Sequence, residues 1–354
     1  MRITDLFTAE ALAQAIADGF IRTQTHPSLP LRILNYTELA QYKREWTDVT
    51  RACRGLIYNS ETLEVVARPF PKFFNHSEDH HPAFNLDEPV TVTDKLDGSL
   101  GIVYLDGLGH PSIATRGSFT STQAAKAEQI LCKQYPNWRP PAGVTVLFEI
   151  IFPENRIVLD YGPVEDLILL GGVDIATGET FTPRDIPWDG QAAEIYPFNT
   201  FAEALAAPPR KNAEGYVVHF RDSDVRIKIK QDDYVALHKI VTGWNERTIW
   251  EMLATGKDYE TLLAGVPDEF HAWAMGIAED LNDKFDGYIG AAHAVHHGIL
   301  ETLPEGFERR EYAQATALYP ETRPALFQLL DGRDISEWAW KQIRPTFTKE
   351  TANV

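Results

Sequence analysis

Five charged side chains are spaced along this sequence in a way that could serve one reaction. Lys95 stands in the polar stretch TDKLDGSLG, Glu149 in VTVLFEIIFPEN, Glu214 at the head of EGYVVHF, and Lys228 with Lys230 in VRIKIK. The intervals from Lys95 to Glu149, to Glu214 and to Lys228 are 54, 65 and 14 residues, and each residue falls on a predicted strand or its edge. Alternation before Lys95 (Val90, Val92) and after it (Ile102, Tyr104) sets KLDGS in a connection, where Gly98 is free to take backbone angles closed to other residues. Lys228 and Lys230 share one face of their strand, so two ammonium groups stand side by side. That face is either simply wet or a seat for an anion such as a phosphate. Glu149 interrupts a very apolar strand, where a carboxylate needs water, a partner or a cation. Taken singly, a K-x-D-G turn is a solvated hairpin more often than a reactive site, so the reading rests on the whole set.

Such residues need a rigid frame. From about 31 to 230 the sequence is dominated by short β-branched and aromatic runs broken by Gly, Pro, Asn and Asp, as in RGLIYNSETLEVVARPF and AGVTVLFEIIF. Helical patterns interrupt them at TAEALAQAIADGF, SFTSTQAAKAEQILCKQY and TFAEALAA, which makes this part α+β with antiparallel sheets. After about 231, stretches such as NERTIWEMLATG, PDEFHAWAMGIAEDLNDKFDGYIGAAHAVHHGIL and ALFQLLDGRDISEWAWKQI carry apolar residues at three- and four-residue spacing. The sequence therefore predicts a sheet-rich domain over 1–240 and an all-helical domain over 241–354.

Composition narrows the function. At 354 residues the chain can bury a substantial core, and no apolar run reaches the ~20 residues of a membrane span. The first residues lack a secretory apolar core, so a cytoplasmic protein without a leader is expected. Two cysteines, Cys53 and Cys132, exclude a disulfide framework and a four-cysteine zinc site. The net charge of −18 argues against non-specific affinity for polyanions, so any nucleic acid must meet a local basic patch. From 241 to 354 there are 19 acidic against 10 basic residues, so the acidity is shared by both parts. Neither G-x-x-x-x-G-K-[ST] nor G-x-G-x-x-G occurs. His293 and His297 in HAVHHGIL have metal-ligand spacing, but with His296 they read as a helix surface.

The ordered set resembles the covalent lysyl nucleotidyltransferases, and within them the phage-type ATP-dependent RNA ligases of the RNA ligase 1 kind. KLDGS at 95–99, FEIIFPENRIVLDY at 148–161, LILLGGVD at 167–174, EGYVV at 214–218 and KIK at 228–230 carry the resemblance, with CRGLIYN, ARPFPKFFN and TRGSF upstream or between them. It spans about 50 to 235. The resemblance implies a nucleotidyltransferase domain in which Lys95 attacks the α-phosphorus of ATP and carries AMP as a phosphoramidate. AMP then passes to a 5′-phosphate end, and a 3′-hydroxyl displaces it. An amine of ordinary pKa ~10.4 is free base in only about one molecule in a few thousand at pH 7. Cations close to it, here Lys228, Lys230 and a bound metal, disfavour the ammonium form and stabilise charge on the phosphates.

The resemblance further implies that Glu149 and Glu214 serve Mg²⁺ or Mn²⁺. It assigns Arg54, Lys72 and Arg116 to the ATP phosphates, Arg116 standing where related ligases have lysine. Phe74 would support the nucleoside pocket, Tyr234 matches a tyrosine of the family and with Gly98 counts among the ATP-binding residues, and Leu169 and Val217 would sandwich the adenine. Strict alternation puts Val217 opposite Glu214, so either the strand is irregular there or one assignment fails. Helices follow the last motif where DNA ligases and capping enzymes place an OB-fold, which favours an RNA ligase whose helical domain recognises single-stranded or structured RNA ends, such as a broken tRNA. The alternatives are an AMP transferase with a non-RNA acceptor and a non-catalytic nucleotide-binding module.

Overall fold

Strands form where the β-branched runs lie, and the computed structural model describes residues 1–78, 80–231, 234, 245–257 and 271–345. The chain divides into two compact units, Met1–Thr242 and Gly243–Val354. The boundary expected near 240 falls on 235–244, outside the described residues.

Among the described residues the first unit holds three sheets. A four-stranded antiparallel sheet runs β1 (Ile21–Thr25), β2 (Leu31–Tyr36), β3 (Arg54–Asn59), β4 (Val65–Ala67) in spatial order. Later strands build two five-stranded sheets: β5 (Phe74–Asn75), β6 (Val90–Lys95), β7 (Ser99–Leu105), β8 (Pro111–Thr115), β9 (Val144–Ile151), β10 (Asp166–Asp174), β11 (Thr180–Phe181), β12 (Ile195–Tyr196), β13 (Gly215–Phe220) and β14 (Arg226–Lys230). One has the order β11-β10-β9-β7-β8, the other β12-β6-β13-β14-β5. Pairing is antiparallel except between β14 and β5. The fold is α+β with antiparallel sheets, as the alternating runs imply.

This topology decides what KLDGS is. Lys95 ends β6 and Ser99 opens β7, yet β6 pairs with β12 and β13 while β7 pairs with β8 and β9. The segment is therefore not a hairpin turn but the crossover from one five-stranded sheet to the other. A side chain at its start can meet residues of both sheets.

Apolar faces hold the frame. Val103, Ile113, Val146, Phe148, Ile150, Leu167 and Leu169 pack under the helix Thr122–Gln134, which presents Ala127, Ile130 and Leu131. Ser121 caps that helix through its hydroxyl. The opposite face packs Ile102, Tyr104, Ala114 and Leu147 against Ile33 and Ile57 of the four-stranded sheet. Val90, Val92, Tyr216, Val218, Phe220 and Ile227 form a third core with Phe201.

The second unit is helical: Glu246–Ala254, His271–Thr302, Arg309–Ala315, Arg323–Leu330 and Ser336–Gln342. Small residues Ala292, Ala325 and Ala339 let these helices approach, with Trp338 filling the space between. His296 departs from the sequence reading. It is buried, its Nδ1 2.7 Å from the Tyr312 hydroxyl, which in turn donates to the Leu326 carbonyl, while His293 and His297 stay exposed. Among the described residues no helix is long and apolar enough to cross a membrane.

Candidate active site

Lys95 leaves the end of β6 and its Nζ lies 2.5 Å from Oε1 of Glu214. Lys230, at the end of β14, reaches the same oxygen at 2.9 Å. Strand register produces this meeting, since Gly215 pairs with Lys95 on one side and with Lys230 on the other. The Glu214 side chain is only 3% exposed, so the pair of cations compensates a carboxylate that burial would otherwise make costly.

Gly215 resolves the conflict between Glu214 and Val217. Its φ of +149° lies where side chains are rarely tolerated, and a Cβ there would sit 1.9 Å from the Ile229 carbonyl oxygen. The strand is thus irregular at its first residue. Glu214 turns back to the lysines while Val217 faces the cavity beside them.

That cavity has a volume of about 650 Å³ and lies between the sheets. Its lining has five basic side chains, Arg22, Arg54, Lys95, Arg116 and Lys228, against two acidic ones, Asp94 and Glu149, which makes it a locally cationic hollow in an acidic protein. Arg54 lies over the Phe73 ring at 5.2 Å and Lys228 at 5.1 Å, so one aromatic face holds two cations in place. The Arg116 guanidinium donates to the Tyr36 hydroxyl at 2.9 Å.

Glu149 enters from β9, in the other sheet. Burial pushes its carboxyl up to about 8; Lys95 opposes the shift, and Glu214 and Asp97 add to it. Among the described residues its carboxylate makes no hydrogen bond or ion pair, and none holds three or more His, Cys, Asp or Glu in a metal-binding group. A carboxylate in need of positive charge, near a second carboxylate and a hollow sized for phosphates, fits a hydrated Mg²⁺ or Mn²⁺ that takes few ligands from protein. Glu149 is the readier donor, since Glu214 is already engaged by two ammonium groups.

Gly98 is needed for a reason other than backbone angle. Its φ is not left-handed, but a Cβ would lie 2.7 Å from the Ile150 carbonyl oxygen and 3.1 Å from Glu149 Cγ. The crossover runs so close to β9 that only glycine fits, which corrects the expectation of unusual angles.

Three further assignments are corrected. Leu169 is fully buried in the core under the helix Thr122–Gln134 and does not line the cavity; Leu170 does. The register of β10 against β9 shifts between Leu169 and Gly171, and this bulge directs Leu170 to the hollow. Phe74 is likewise buried, and Phe73 faces the cavity. A one-residue slip reverses the face a strand residue presents. Lys72, only 3% exposed, lies over the rings of Trp46, Tyr36 and Phe74 at 4.9, 5.2 and 5.5 Å instead of lining the hollow.

Tyr234 does not touch the cavity either. Its hydroxyl donates to Oδ1 of Asp97 at 2.8 Å, and Lys230 lies 5.2 Å over its ring. Oδ2 of Asp97 accepts the backbone N–H groups of Val158 and Leu159 at 2.9 and 2.8 Å, and the Asp97 N–H donates to the Tyr161 hydroxyl. The aspartate of K-x-D-G is therefore a latch that binds the crossover to the segment after β9. Asn155 adds to it, accepting from Ser99 and Gln123 and donating to the Ile150 carbonyl. Arg22, Phe73, Leu170 and Asp97 are site residues that the sequence reading did not pick out. K-x-D-G itself was the available signal for Asp97.

Residues 52–235 match the RNA ligase family. Over 285 residues the chain is 28% identical to a protein of Autographa californica nuclear polyhedrosis virus named as a bifunctional polynucleotide kinase/RNA ligase, covering 71% of this chain and 40% of that one. It is 30% identical over 131 residues to RNA ligase 1 of bacteriophage TS2126, covering 31% of each. The chain thus spans less than half the length of these relatives. A solved structure of a mutant Naegleria gruberi RNA ligase with ATP and Mn aligns with a TM-score of 0.33 at 21% identity, covering 44% of this chain and 52% of that one. The match to the family model takes in more than half of the sequence, from Ala52, two residues before Arg54, to position 235, one past Tyr234, and the chain belongs to the RNA ligase family.

Proposed function

We propose that the protein is an ATP-dependent RNA ligase that joins 5′-phosphate and 3′-hydroxyl ends through AMP carried on Lys95. The observation that carries this reading is the convergence of Lys95, Lys228, Lys230, Glu149 and Glu214, from four strands or their edges, at and around one cationic cavity. In the first step the Lys95 amine leaves Glu214, loses a proton and attacks the α-phosphorus of ATP. A P–N bond forms, and the P–O bond to pyrophosphate breaks. In the second step an oxygen of the RNA 5′-phosphate attacks the phosphorus of AMP, the P–N bond breaks and the Lys95 amine is regenerated. In the third, the 3′-hydroxyl loses its proton and attacks the phosphorus of the 5′-phosphate, and AMP departs.

Each neighbour has a task in this scheme. Lys230, still bonded to Glu214, keeps positive charge beside the amine where negative charge develops on the phosphates. Lys228, Arg54, Arg116 and Arg22 take the phosphates, where fixed cations need no reorganisation as charge develops. Leu170 and Val217, one from each five-stranded sheet, close on the adenine. Glu149, with Glu214 within reach, would hold Mg²⁺ or Mn²⁺, which supplies charge neutralisation at the phosphates when bound.

Recognition of the RNA end, single-stranded or structured and including a broken tRNA, is proposed for the helical unit, and RNA repair is the proposed use of the activity. The test uses a 5′-phosphorylated single-stranded RNA with ATP and Mg²⁺. Circles or adenylated ends support the ligase. Labelled protein that passes AMP to no RNA would point to another acceptor, and protein that never becomes labelled would point to a nucleotide-binding module.

A further inference from the structure

Arg210 lies in no motif, yet it is tied to both residues that flank the reactive pair. Its Nη2 donates to Oδ1 of Asp94 at 2.7 Å and to the Gly215 carbonyl at 2.6 Å. Asp94 directly precedes Lys95, and Gly215 directly follows Glu214. The guanidinium is clamped between two rings, over Tyr216 at 4.3 Å and Tyr196 at 4.7 Å, and Nη1 donates to the Tyr196 hydroxyl. Arg210 and Asp94 are each 22% exposed at the side chain, so their attraction is only partly screened. Gln231, next to Lys230, accepts the Arg210 N–H and so joins the third strand to the same point.

Asp94 lines the nucleotide cavity. Left uncompensated, its charge would stand one residue from the nucleophile and in the space meant for phosphates. The charged groups around Lys95 are Asp94 on its own strand, Asp97 in the crossover, Glu149 from β9, Glu214 before β13, Lys228 and Lys230 from β14, and Arg54 from β3. Asp94 has a dedicated arginine, held in a fixed fork by two tyrosines.

We propose that Arg210 is a positioning residue for covalent adenylylation, which neutralises Asp94 and holds the end of β6 against β13 so that Lys95 presents its amine to the nucleotide. The inference rests on the ligase reading. Lysine cannot replace this arginine, because one ammonium does not span the carboxylate, the carbonyl and two ring faces in a planar fork.

The experiment measures the rate of covalent labelling by α-labelled ATP, and its dependence on ATP concentration, in wild type, Arg210→Gln, Asp94→Asn and the double variant. Arg210→Gln should label at least ~10-fold more slowly at saturating ATP while keeping a cooperative melting transition. Adding Asp94→Asn should recover most of that rate, because the uncompensated charge beside the nucleophile is then gone. The inference is overturned if Arg210→Gln labels at the wild-type rate, if it is slow and Asp94→Asn recovers nothing, or if it loses its cooperative melting transition, since the arginine would then serve the fold alone. An unlabelled wild type would instead sink the ligase reading.

Discussion

Lys95 and Lys230 meet on a single atom, both bonding Oε1 of Glu214. The carboxylate is the hub that brings the predicted nucleophile to the last motif. Replacing it by alanine leaves two ammonium groups facing each other in a buried place. Glu214→Ala should lower the rate of covalent labelling by roughly 10²-fold or more and destabilise the fold by about 3 kcal/mol, read by label incorporation and urea melts. Glu214→Gln should keep most of the stability and little of the rate.

Glu149 predicts a pH dependence of stability. Its carboxyl, ordinarily near 4.5, is held up to about 8 in the folded chain, mainly by burial. Between those values the folded protein keeps a proton that the unfolded chain releases, so stability is fullest below about 4.5 and declines as pH rises toward about 8. Glu149→Gln should remove this decline and melt several degrees higher than wild type at pH 8.5. Mg²⁺ should raise the wild-type melting temperature at that pH and leave the variant's unchanged, as followed by scanning calorimetry.

Asp97 should separate latch from cavity. Its carboxylate accepts from Tyr234, Val158 and Leu159, so Asp97→Ala leaves three donors unsatisfied and should cost about 2–4 kcal/mol with slower labelling. Tyr234→Phe loses one of the three and should cost about 1 kcal/mol in a chemical-denaturation curve.

The paired leucines of β10 give opposite expectations. Leu170→Ala should raise the KM for ATP severalfold at nearly wild-type stability, because the side chain faces the cavity. Leu169→Ala should leave that KM intact and cost about 2–5 kcal/mol through the void it opens in the core. Steady-state labelling kinetics and melting curves distinguish the two.

What was legible in the sequence follows from period and charge. Lys228 and Lys230 read as neighbours because strand alternation is strict there, Lys95 stands out as a cation in a polar connection between two strands, and Glu149 because it breaks an apolar run. Leu169 and Phe74 were each one residue from the cavity-facing side chain. For Leu169 the bulge before Gly171 breaks the alternation, and β5 is only two residues long, too short to show a period. Lys72 carries a charge that reads as a phosphate ligand, and its burial over three rings is not encoded in linear spacing. Arg22 and Arg210 belong to stretches with no motif. They reach the site through sheet order and through a clamp between segments distant in sequence, neither of which linear spacing encodes.

The central claim is that Lys95 carries AMP. Incubation with ATP and Mg²⁺, proteolysis under mildly alkaline conditions and mass spectrometry of the peptides test it directly. The account predicts the mass of AMP on the peptide containing KLDGS, localised to Lys95, and its absence from Lys95→Ala. AMP on a different residue, or label persisting in Lys95→Ala, would contradict it.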